Sequence, residues 1–130
     1  MRMSLISMLA VLALTVGVCV FSMTFITDVC GRMEEVHDAV MDCAEEGDRE
    51  QAHEELCRMA QIWKRHEAVM AVLVAHGSIH EITGLLIQAE ASLEADDITD
   101  FFESMAQLKQ ALGHMQQDEK LHLSNILQVC

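Results

Sequence analysis

The chain contains no proline and no tyrosine, and it has one tryptophan, four phenylalanines and six glycines in 130 residues. Without proline, and with few aromatic or β-branched runs outside one segment, little in it breaks a helix or favours a sheet. The expected fold class is all-α. Basic residues are also scarce: eight Lys and Arg stand against 21 Asp and Glu. There is no glycine-rich phosphate loop, no G-x-S-x-G turn and no C-x-x-C pair. These absences remove the common nucleotide-binding, hydrolase and zinc-finger readings. No catalytic residue, cofactor or enzymatic activity is expected.

What the chain does have is apolar length at one end. Met3 to Thr27, "MSLISMLAVLALTVGVCVFSMTFIT", contains no charged residue. As a helix it measures roughly 37 Å, against a bilayer core of about 30 Å. Residues 1–27 are therefore expected to be a transmembrane anchor and 28–130 a separate helical domain. Arg2 and the amino terminus precede the span, and acidic residues follow it. Positive charge stays inside, so the amino terminus is expected in the cytoplasm and the domain outside the cell membrane. A cleaved signal peptide would have a shorter apolar core and an A-x-A site. Lipidation at Cys19 would need a small residue where Val18 stands. An uncleaved anchor fits better than either.

The region after Thr27 holds every acidic residue and seven of the eight basic ones, a formal charge of −14. Such a surface repels nucleic acid and anionic lipid. It leaves a membrane, another membrane protein or self-association as partners, and basic partners or divalent cations as further options. The five cysteines are Cys19, Cys30, Cys43, Cys57 and Cys130. Outside the membrane the last four would permit three disulfide pairings, and chance placement on helix faces is an equal alternative.

Three stretches punctuate the domain. In "EEGDREQ" (45–51), Gly47 suits a helix stop and Asp48 the next N-cap, with Gln51 as its capping-box partner. In "HGSIHE" (76–81), Gly77 reads as a stop, and Ser78 with Glu81 as a capping box. In "EADDITD" (94–100), Asp96 or Asp97 suits an N-cap. The expected helices are 29–46, 48–76, 79–95 and 97–116, with a closing segment from Asp118. Whether the first continues from the anchor past Gly31 is left open.

Apolar residues recur at three- and four-residue steps in each helix. They include Ala52, Leu56, Met59, Trp63, Met70 and Leu73, then Ile79, Ile82, Leu85 or Leu86, and Ala89, then Ile98, Phe101, Phe102, Met105, Leu108 and Leu112. Leu121, Leu123, Ile126 and Leu127 would dock the tail. "EEGDREQAHEELCRMAQIW" and "EADDITDFFESMAQLKQAL" align at an offset of 49 residues. Two such hairpins look like tetratricopeptide units, and two hairpins close into a four-helix bundle. Trp63, Met59, Met70, Phe101, Phe102 and Met105 are the structural or interaction residues expected to matter most. The methionines can fill a core or line an adaptable groove.

Metal-ligand residues are plentiful but dispersed. His66, His76 and His80 with Glu67 and Glu81 are the candidates for an extracytoplasmic cation site. A helix break at Gly77 and Ser78 would separate His76 from His80, so no metal site is assigned. The sequence best supports an interaction or scaffold module, with cation binding through the 66–81 segment as the alternative.

Trp63, His66, Glu67, His76, Ile79, Glu81 and Ile82, followed by Glu119, Lys120, Leu121, Leu123, Asn125 and Ile126, resemble the bacterial family called domain of unknown function 4363. The similarity runs from Met1 to about Leu127. It implies a small membrane-anchored helical protein and carries over no catalytic residue. The chain departs from the pattern in its Met and Cys content and at Gly77, where an acidic residue is expected.

Overall fold

The computed structural model describes residues 2–74 and 76–129, with side chains described as far as Asp118. Four helices follow one another: α1 (Arg2–Glu45), α2 (Arg49–Leu73), α3 (His76–Glu94) and α4 (Ile98–Val129). No strand occurs among the described residues. Short connections force each helix back along its predecessor. α1 packs on α2 and α4, and α3 packs on α4 and α2. The two hairpins thus close into a four-helix bundle.

α1 settles the question left open at Gly31. It is one helix of 44 residues, and no break separates its apolar half from its bundle half. Residues 2–18 are exposed. Burial sets in further along, with Ile26, Val29, Cys30, Met33, Val36, His37, Val40 and Ala44 on one face. Those residues meet Leu56, Met59 and Trp63 of α2, Ile82, Leu86 and Ala89 of α3, and Phe101, Met105, Leu108 and Leu112 of α4 in one core. The stripes read from sequence form this core, except that Leu73 and Phe102 are only half-buried against it and Ile98 is exposed.

The α1–α2 and α3–α4 corners are built alike. Gly47 takes a left-handed backbone with φ of 80°. The Gly47 N–H donates to Ala44 O at 3.1 Å and the Asp48 N–H to Cys43 O at 3.0 Å, the paired bonds of a Schellman ending. Forty-nine residues on, Asp96 takes φ of 64°. The Asp96 N–H donates to Leu93 O at 3.3 Å and the Asp97 N–H to Ser92 O at 2.9 Å. Asp48 and Asp97 then cap the following helices, accepting from the backbone N–H of Gln51 at 3.1 Å and of Asp100 at 3.2 Å. The sequence repeat is therefore a repeat of corner hydrogen bonds. Arg49 joins the two corners. Its guanidinium lies 2.7 Å from Asp96 Oδ1 and donates to Leu93 O at 3.0 Å, where the carboxyl end of α3 carries negative partial charge.

The α2–α3 corner differs from expectation. α2 ends at Leu73, and Val74 turns the chain with φ of −123° while its N–H donates to Met70 O at 2.8 Å. α3 starts at His76, so Gly77 and Ser78 lie inside its first turn, and Gly77 is not among the residues with positive φ. The stop-and-cap reading of "HGSIHE" is wrong by three residues. α4 also runs unbroken past residue 116 to Val129, with no separate closing segment. The side chains of Leu121, Leu123, Ile126 and Leu127, and Cys130 itself, lie outside the described residues.

Candidate functional site

With α3 starting at His76, His76 and His80 do share a helical face at a four-residue step, and both are exposed. The corner argument that separated them is overturned. They remain without a third ligand, because the metal-sized cluster among the described residues lies elsewhere. His66 is half-buried. Its Nδ1 donates to Ile62 O at 2.8 Å, and its ring lies 5.6 Å from that of Phe25. Glu67 is half-buried and Glu81 exposed. Met59, Met70, Phe101 and Met105 are fully enclosed and Trp63 is 2% exposed. Only Phe102 of that set is half-buried, packed against the core. These residues fill the interior instead of lining an open groove.

Two polar features remain on the surface of the bundle. The first is a cleft of about 500 Å³ between α1 and α2, lined by Arg32, Glu35, Arg58, Gln61, Arg65 and His66. Three of the chain's eight basic residues thus gather on one side of a domain that is acidic on average. The cleft lies beside the Phe25–His66 contact, where the charge-free stretch of α1 ends. Arg32 pairs with Asp28 at 3.4 Å, both exposed enough for water to screen them, and Arg58 pairs at 3.6 Å with Glu55, whose side chain is mostly buried.

The second feature spans α2 and α3 below the Arg49 clamp. His53 and Cys57 stand one helical turn apart on α2, and Glu90 faces them from α3. One ligand atom from each lies within 4.8 Å of the other two. Cys57 Sγ is 3.8 Å from His53 Nδ1. The other ring nitrogen, Nε2, is 3.9 Å from Glu94 Oε1. Partial burial pushes the Cys57 thiol above its ordinary range, and the Glu90 and Glu94 carboxylates add to the shift. The sequence shows His53 and Cys57 at helical spacing. Glu90 lies 33 residues beyond Cys57, and only the register of α2 against α3 brings it there.

The family model described as Domain of unknown function (DUF4363) matches residues 20–126. The chain belongs to that family. The match begins just beyond the exposed half of α1 and covers nearly all of the bundle. The DUF4363 match therefore describes the packed part of the molecule. No curated protein matches the chain, and no solved structure does.

Proposed function

We propose that this DUF4363 protein is a single-pass membrane protein whose bundle is a non-enzymatic interaction module for another membrane protein. The observation that carries this reading is the division of α1. One uninterrupted helix offers apolar side chains to its surroundings in its first half and supplies a core face in its second. Met8, Leu9, Leu14 and Phe21 are each at least 60% exposed, a condition that water opposes and lipid tails favour. Two threonine hydroxyls in this stretch are satisfied locally, as a bilayer requires. Thr15 donates to Val11 O at 2.8 Å and Thr24 to Val20 O at 2.9 Å.

The bundle would sit directly on the bilayer. From the level of Phe25 and His66, α2 continues seven residues to Leu73, about 10 Å, which brings the α2–α3 corner level with residue 18 of α1. The free part of α1, residues 2–18, is about 25 Å long, shorter than the roughly 30 Å core it would cross. Val69 and Val72 at the corner are exposed, and they would meet the interface. Arg65, beside His66, would lie at headgroup height, with Arg32 and Arg58 about two turns further out, the amino terminus cytoplasmic and the bundle outside. A partner sharing the bilayer would meet a surface held at fixed height.

Site-specific photo-crosslinking in intact membranes tests this, with probes at Leu9, Val16, Val72 and Ile87. A defined adduct recurring at neighbouring positions is expected, and its mass identifies the partner. An adduct of twice the chain's mass would make that partner a second copy. No adduct at any position, or recovery of the full chain in the soluble fraction after alkaline extraction, would overturn the reading.

A further inference from the structure

We propose that His53, Cys57 and Glu90 form a binding site for a zinc-class divalent cation, with Glu94 positioning the imidazole. The argument starts from donor chemistry. One thiolate, one imidazole and one carboxylate are the ligand types that suit a borderline-soft cation with tetrahedral preference, and they disfavour calcium and magnesium, which take oxygen ligands.

The distances fit a common centre. A metal with an S bond of about 2.3 Å and an N bond of about 2.05 Å at a tetrahedral angle holds those two atoms about 3.6 Å apart. Cys57 Sγ and His53 Nδ1 are 3.8 Å apart, so closing on a metal needs a shift of a few tenths of an ångström. The ligand atoms of all three residues already lie within 4.8 Å of one another.

The outer partner is also in place. A metal-bound histidine commonly gives its second ring N–H to a carboxylate, which fixes the tautomer and the ring plane. His53 presents Nδ1 to Cys57 and Nε2 to Glu94 Oε1 at 3.9 Å. Metal bound at Nδ1 leaves the proton on Nε2, facing that carboxylate. None of the described ion pairs uses Glu90, so its charge is available to a cation. The frame is firm, because Arg49, one turn before His53, ties α2 to Leu93 and Asp96 at the end of α3.

Binding replaces the S–H bond of Cys57 by an S–metal bond and releases that proton to solvent, with no change in oxidation state. Three protein ligands leave one tetrahedral position for water or a fourth ligand. This site is independent of the interaction reading, since it lies near the far end of the bundle from the apolar half of α1.

The test uses the full chain in detergent, stripped of metal and titrated with Co²⁺, then with Zn²⁺ in competition. One Co²⁺ per chain is expected, with a thiolate-to-cobalt charge-transfer band that Zn²⁺ removes. Cys57→Ser should abolish the band, and Cys43→Ser should leave it unchanged. Glu94→Gln should weaken affinity by about 10–100-fold at unchanged stoichiometry. Circular dichroism of each variant should match the parent, because none of these three side chains is fully buried. No stoichiometric uptake by the folded parent, or a band that survives Cys57→Ser, would overturn the proposal.

Discussion

The indole N–H of Trp63 on α2 donates to Thr83 Oγ1 on α3 at 2.9 Å, while the ring itself is buried. The tryptophan thus fills the core and also fixes the sliding register of α2 against α3. Trp63→Phe should cost about 1 kcal/mol or somewhat more, from the lost hydrogen bond and part of the ring. Trp63→Ala should cost about 3–5 kcal/mol. Thermal unfolding in mild detergent, followed by circular dichroism, would rank the two. Equal losses would mean that the hydrogen bond and not the ring carries the effect.

The two similar corners should respond differently to the same change. Gly47→Ala places a Cβ on a left-handed backbone and should lower stability by about 1 kcal/mol. Asp96 already bears that strain. Asp96→Gly should therefore gain on conformation and lose the Arg49 pair, leaving a smaller net change than Gly47→Ala. Removing the caps with Asp48→Ala or Asp97→Ala should cost about 1 kcal/mol each, and the double variant should approach the sum. Denaturant midpoints compare all five.

Phe101 and Phe102 are neighbours in sequence with unlike surroundings. Phe101 is fully enclosed and Phe102 only half-buried, with ring centroids 5.6 Å apart. Phe101→Ala should cost about 3–5 kcal/mol by leaving a cavity, and Phe102→Ala clearly less. A reversed order in the unfolding temperatures would show that Phe102 faces an interior contact.

Burial raises the Cys30 thiol from 9.0 to about 11, against a lowering hydrogen bond from Gln116 and with a further push from Glu34. The folded chain then holds this proton more tightly than the unfolded chain. The contribution is complete below pH 9 and falls away as pH rises towards 11. Unfolding temperature should decline more steeply over that interval in the parent than in Cys30→Ala. Cys30 should also resist alkylation at neutral pH until the bundle is unfolded, since the thiolate is the reactive form.

Much of this architecture was legible because local chemistry agrees with the global fold at two corners of three. Gly47 and Asp48 at one, and Asp96 and Asp97 at the other, are residues whose conformational and capping preferences match their positions. The stripes through Leu56, Met59, Trp63, Phe101 and Met105 likewise predict the buried face of each helix. The α2–α3 corner was misread because Ser78 and Glu81 imitate a capping box one turn inside α3. The true stop at Val74 is held by a backbone bond to Met70, which carries no side-chain signature.

The candidate site was harder to see. His76 and His80 stand out in the sequence but lie on a solvent face. His53 and Cys57 are inconspicuous until Glu90 and Glu94 arrive opposite them on α3. That meeting depends on where the hairpin turns and on the rotation of each helix about its axis. Both are properties of packing, and a motif scan along one strand of text does not contain them.

The unbroken run of α1 from its exposed apolar half into the core has a mechanical consequence. Its apolar half and its bundle half share one tilt angle, because one rod of 44 residues serves both. From residue 18 to the Gly47 corner is about 43 Å along the rod, so a 10° lean would swing that corner sideways by roughly 8 Å. On the proposed membrane reading, any change in the tilt of the apolar half would therefore carry the far end of the molecule with it, so the position of the bundle reports the orientation of the whole rod.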